Sequence, residues 1–207
     1  MLLLIAAILT LRAPAVRAQG SGGGGGREGD AWGFVIARYD TRSSASIYSG
    51  YGWRRVFAMG AILNNPRSGN AELLGGVGAV IRTGANAEHW LALARLRSGA
   101  VSSAQLYWLP TVRMGAVTTR AQVKWSIPER GGAPQKLSVS PLSITLPARS
   151  LTGGLAVEMA AAQGARTSVG TGPELRLKLP RGAVGADVLH DVTESGARLR
   201  LFFASIF

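Results

Sequence analysis

The sequence predicts an all-β protein: a closed, antiparallel, up-and-down transmembrane β-barrel of about 12 strands, with about 10 as the lower count. Three observations predict it. Beyond residue 31 the chain repeats segments of roughly ten residues with period-two alternation, set apart by Gly, Pro, Asn and Ser clusters. Within these segments charge and grease occupy opposite phases, as in ELRLKL at 174–179, where Leu175, Leu177 and Leu179 oppose Glu174, Arg176 and Lys178. The chain then closes on ARLRLFFASIF, at full hydrophobic strength in a place where a soluble domain usually frays.

Residues 2–11, LLLIAAILTL, are apolar for about the length of a signal-peptide core, far short of the roughly 20 residues a spanning helix needs. Val16 and Ala18 hold the small-residue positions of a cleavage site, so 1–18 reads as a signal peptide, although no Lys or Arg precedes the apolar core. Residues 19–30, QGSGGGGGREGD, are a Gly-rich linker. As a phosphate loop they fail, because no strand precedes them. The barrel domain is 31–207.

Strands are expected near 32–40, 44–50, 53–64, 71–83, 87–97, 101–114, 116–127, 135–146, 151–161, 166–179, 182–190 and 197–207. In VTTRAQVKWS, Val117, Thr119, Ala121, Val123 and Trp125 oppose Thr118, Arg120, Gln122, Lys124 and Ser126. In EHWLALARLR, Trp90, Ala92, Ala94 and Leu96 oppose His89, Arg95 and Arg97, and the first set is assigned to lipid. No segment sustains a helical stripe as well.

With the N-terminus at the periplasmic face, short turns fall at Tyr51-Gly52, Gly84 to Asn86, Gly115, Ala148 to Ser150 and Pro180-Arg181. The longest links, NPRSGN at 65–70, PERGGAP at 128–134 and DVTESG at 191–196, all fall on the outer side, as membrane barrels arrange them. Trp32, Tyr51, Trp53 and Trp90 near one rim and Trp125 near the other suit headgroup levels. The rival assignment makes them the core of a soluble barrel.

Lipid offers no hydrogen bonds, so a spanning sheet must close and its last strand must pair with its first. That accounts for the ending: Leu199, Leu201, Phe203 and Phe207 would face lipid, with Arg198 and Arg200 in the lumen. This segment resembles the terminal strand of bacterial outer-membrane β-barrel proteins, which end in Phe and are read by the assembly machinery of that membrane. It departs from the pattern at Ser205, and Phe202 and Ile206 fall on the inward phase. The resemblance implies a Gram-negative-type outer membrane, with its lipids and assembly machinery as partners.

The net charge of +12 comes from 23 basic against 11 acidic residues, spread singly with no Lys/Arg block, and with export it disfavours nucleic acid. No cysteine occurs. The polar phases carry Arg38, Arg82, Arg95, Arg97, Arg113, Arg120, Lys124, Arg176, Lys178, Arg198 and Arg200 against Glu72, Glu158, Glu174 and Asp187. Such a lumen would make a small passive pore for small anions, or, if the charges pair, a structural barrel. Gly76, Gly78, Ala156 and Ala160 would leave room for the Arg side chains.

Two further classes compete: a periplasmic soluble lipid-binding barrel, and a lipid hydrolase using His190 beside Asp191 with Ser195 in the next link. No GxSxG elbow is present, so the expectation is a non-enzyme without catalytic residues. His89 and His190, isolated from each other, make no recognisable metal site, so no metal or other cofactor is expected.

Overall fold

The computed structural model describes residues 31–41, 44–64, 71–99, 101–128, 135–145, 150–161, 167–193 and 196–207. The proposed signal peptide, the Gly-rich linker, most of the long links and Ser195 lie outside these residues. The described chain is all-β. Its strands are β1 (Ala31–Asp40), β2 (Ser44–Trp53), β3 (Val56–Asn64), β4 (Ala71–Thr83), β5 (Ala87–Ser98), β6 (Val101–Met114), β7 (Val117–Pro128), β8 (Gln135–Thr145), β9 (Leu151–Ala161), β10 (Ser168–Leu179), β11 (Gly182–Asp191) and β12 (Gly196–Ile206).

Each strand pairs antiparallel with the next in sequence, and β1 also pairs with β12 through Phe34↔Ile206 to Asp40↔Arg200. The ladder runs to the last residue, for Gly33 N–H donates to Phe207 O at 2.7 Å and Phe207 N–H to Gly33 O at 3.0 Å. The apolar ending therefore has a partner for its backbone.

Turns at 54–55, 84–86, 115–116 and 180–181 lie at the end that holds both termini of the sheet, and the strand ends that flank the long links, Asn64 and Ala71, Pro128 and Gln135, Ala161 and Ser168, lie at the other. Gly84 and Gly115 adopt φ of 67° and 61°, the left-handed conformation that tight turns demand and that glycine takes without steric cost. The first turn corrects the sequence reading, which put it at Tyr51-Gly52. It sits at Arg54–Arg55 instead. Trp32 Nε1 donates to Arg54 O at 3.0 Å and Val80 N–H to Arg55 O at 2.7 Å, so two strands clamp the turn beyond Trp53.

In β8 the register against β9 passes from Val139↔Val157 to Leu142↔Leu155, so two residues oppose one. Pro141 lies in that bulge, a place in a sheet that tolerates a missing N–H.

Candidate pore interior

Strands that are not neighbours in a curled sheet touch only across its concave side, and three such contacts identify that side. Trp32 on β1 meets Trp90 on β5 with ring centroids 5.3 Å apart. Arg38 Nη1 on β1 donates to Gln122 Oε1 on β7 at 2.6 Å. Arg198 Nη2 on β12 donates to Glu158 Oε1 on β9 at 2.5 Å. From these anchors the strand register assigns every other described side chain to one face or the other.

The convex face is apolar: Val77 is 64% exposed, Ile62 59%, Leu93 58%, Leu175 50% and Leu201 39%. Leu199, Leu201, Phe203 and Phe207 all lie on it, with the Phe207 ring over Gly33, where an added Cβ would come within 2.5 Å of ring carbon Cε2. Tyr51, Trp53 and Trp125 are exposed there too. A soluble barrel would wet this surface with charge; this one presents rows of Leu, Val and Ile.

The concave face has two unlike walls. Most of the interior surface of β1–β6 is hydrophobic, which corrects the expectation of grease outside and charge within. Trp32, Phe34, Phe57 and Trp90 form a four-ring cluster with centroids 5.3 to 6.1 Å apart, and Ala61, Leu63, Leu74 and Val80 are buried around it. Trp32 and Trp90, expected at a headgroup level, belong to this cluster. Glycines on the facing strands make the room. A Cβ on Gly52 would lie 2.3 Å from Trp32 Cε2, and one on Gly78 2.3 Å from Phe57 Cζ. Gly78 thus accommodates a Phe rather than the Arg anticipated from sequence.

On β7, β9–β12 and the end of β1 the wall is ionic. Glu158, 2% exposed, receives Arg198 and Arg200 together; Arg198 also reaches Asp40 at 3.4 Å, and Arg200 Nε donates to Asp187 Oδ1 at 2.6 Å. Lower on this wall Glu174 holds Arg176 at 3.1 Å and Arg120 at 3.9 Å, and the Arg176 guanidinium stacks 4.4 Å over the Phe202 ring. Five of these six ion pairs cross strand boundaries, and Glu158 and Glu174 each offset the desolvation of two cations.

A polar seam joins the walls. Tyr107 Oη donates to Gln105 Oε1 at 2.5 Å, Lys124 Nζ lies 5.9 Å from the Tyr107 ring centre, and Arg38 reaches across to Gln122. Below it a cavity of about 50 Å³ is bordered by Phe34, Ile36, Met59, Tyr48 and Leu109.

Of the basic residues assigned to the lumen, Arg82, Arg113, Arg120, Lys124, Arg176, Lys178, Arg198 and Arg200 lie on the concave phase. Arg82 pairs with Glu88 at 3.3 Å near the rim. Arg113 and Lys178 make no ion pair among the described residues and stand near the mouth at the terminus end. Arg95 and Arg97 are corrections: both are exposed on the convex face. Their strand presents two largely apolar phases, and the register Gly78↔Ala92 and Ala92↔Tyr107 turns Trp90, Ala92, Ala94 and Leu96 inward. An Arg on the lipid face costs about 2–4 kcal/mol at the bilayer centre but only about 0–1 near an interface, and these two lie close to the strand end at Ser98.

Sequence reasoning missed three inward acids. Asp40 and Asp191 share the phase of Arg38 and Asp187, and Glu88 that of Trp90; following each strand's alternation to its last residue would have found them. His190 faces out and is exposed, whereas Asp191 faces in and accepts from the Thr193 N–H at 2.9 Å, so Asp191 does not orient a base at His190. His89 is on the convex face against the Trp108 ring, 6.2 Å between centroids.

No family model and no curated protein matches the chain. Solved porins do resemble it in structure. The KdgM porin aligns with TM-score 0.59 at 8% identity, covering 84% of this chain and 99% of that one. A structure described as KdgM porin in complex with disordered oligogalacturonate aligns with TM-score 0.59 at 7% identity over 85% and 98%. The NanC porin aligns with TM-score 0.52 at 11% identity over 84% and 99%. At such identities the likeness speaks for the fold, and the fold is that of bacterial outer-membrane β-barrels.

Proposed function

We propose that the protein is a closed, twelve-stranded barrel in the outer membrane of a Gram-negative-type bacterium and a non-enzymatic passive pore for small anions. The similar porins are outer-membrane proteins of such bacteria, and they are not enzymes. The observation that carries the reading is the excess of inward cations in the terminus-end half of the interior: Arg113 and Lys178 at the mouth, then Arg120 and Arg176 around Glu174, then Lys124, whereas Arg198 and Arg200 beyond them are offset by Glu158, Asp187 and Asp40. A file of guanidinium and ammonium groups lowers the energy of an anion along its path and raises that of a cation. One similar structure holds disordered oligogalacturonate, a polymer with a carboxylate on every sugar unit, which fits the same chemistry. Membrane lipids around the convex face, and the assembly machinery at Leu199, Leu201, Phe203 and Phe207, are the proposed partners.

A structural barrel is the second reading, favoured by the Arg38 to Gln122 bridge, which crosses the interior from β1 to β7, and by the pairing of Arg198 and Arg200 with Glu158, Asp187 and Asp40. Planar-bilayer recording separates the two. The pore reading expects steps of conductance and, in a KCl gradient, a reversal potential of the sign that marks chloride preference. Replacing both Arg120 and Arg176 by Gln is expected to lower that preference at least about twofold. A silent bilayer with correctly folded protein supports the structural barrel.

A further inference from the structure

Arg95 and Arg97 pose a question that the interior does not answer, because they stand where lipid is expected. Register places the convex residues of β4–β7 in rows. Val77, Leu93, Leu106 and Trp125 form one row, all exposed and apolar. The next row toward the long-link end is Gly75, Arg95, Ala104 and Ile127, and the one beyond it holds Leu73, Arg97 and Ser102.

The apolar belt thus ends on this sector at two arginines in successive rows. Arg95 is flanked by the smallest side chains available, Gly75 and Ala104. An added Cβ on Gly75 would meet nothing within 4 Å, so the surface beside Arg95 is open to a ligand. Arg95 Nη2 lies 3.1 Å from Ser102 Oγ, which brings a hydroxyl beside the guanidinium, and Arg97 Nε reaches Gly99 O at 3.5 Å. Two fork-shaped cations, a hydroxyl and an uncrowded approach at the edge of a lipid-facing belt suit a phosphate group, which guanidinium binds through paired N–H bonds.

We propose that Arg95, Arg97 and Ser102 form a site for the phosphorylated headgroup of a membrane lipid, with its acyl chains along the Leu93 and Leu106 row. The site rests on the membrane placement of the barrel but not on the pore reading, since it lies on the opposite face of the sheet from the cation file. Cationic contacts for a headgroup phosphate at the long-link end and a length of apolar surface below them are offered by the same two strands, β5 and β6.

The test uses the full chain in neutral detergent with diphosphorylated lipid A as the probe, and binding is read by fluorescence titration. Arg95→Gln with Arg97→Gln is expected to weaken binding by about tenfold or more, while Arg54→Gln with Arg55→Gln, which removes equal charge at the terminus end, leaves it nearly unchanged. Unchanged protein is expected to bind dephosphorylated lipid A about tenfold less tightly, and this comparison needs no variant to fold. Equal affinity for the two lipids, or equal weakening by the two double variants, overturns the site. Failure of the unchanged protein to migrate faster before boiling than after, and to partition with membranes, overturns the membrane placement and the site with it.

Discussion

The two interior walls solve one packing problem with opposite chemistry. On β1–β6 the space is filled by rings set into glycines: Trp32 over Gly52, Phe34 beside Gly50, Phe57 over Gly78. On β9–β12 comparable space is filled by guanidinium groups gathered around Glu158, Glu174 and Asp187. The first wall is stabilised by contact, each aromatic pair adding about 0.5–1.5 kcal/mol beyond burial. The second is stabilised only while every charge keeps its partners. The contrast teaches that the polarity of a barrel interior is a local property, since a rigid aromatic cluster and an ion-pair network lie within one ring of strands.

The largest expected effect strikes the apolar wall. Phe34 is 3% exposed and packs against Trp32, Phe57 and Trp90, so Phe34→Ala should cost about 4 kcal/mol, read as a lowered midpoint in urea titrations of the detergent-folded protein. A loss below about 1 kcal/mol would mean the rings merely line a wet space.

Next in size, Glu158→Gln removes the shared charge of Arg198 and Arg200. It should cost about 3 kcal/mol, because it leaves two half-buried cations leaning on Asp40 and Asp187 alone. If the cost matched that of an exposed pair, the ionic wall would be solvated, and the comparison between the walls would lose its energetic basis. The smallest effect calibrates the other two. Glu88→Gln breaks the bridge to Arg82, whose side chain is 45% exposed, and should change stability by less than about 1 kcal/mol in the same titration.

The antiparallel strands were legible because alternation and turn chemistry are local signals. The strand bounds agree with the sequence reading to within a residue or two almost everywhere. The exception at Tyr51-Gly52 has a tertiary cause, the clamp from Trp32 and β4 on the Arg54–Arg55 turn. In the interior, β7 and β10 were readable because one phase is charged and the other apolar. The strand EHWLALARLRS was not, for Leu91 and Leu93 share a phase with Arg95 and Arg97 while Trp90 shares one with Glu88. Both faces could pass for lipid-facing.

By itself the chain of residues determined that strands form, where they turn, which two sets of side chains each strand separates, and that the last strand is as apolar as the others. Which set faces the interior was decided by the tertiary structure. Alternation defines two faces without labelling them. The label comes from pairing, here from the fit of Phe57 against Gly78 and of Ala92 between Gly78 and Tyr107, which no single strand contains.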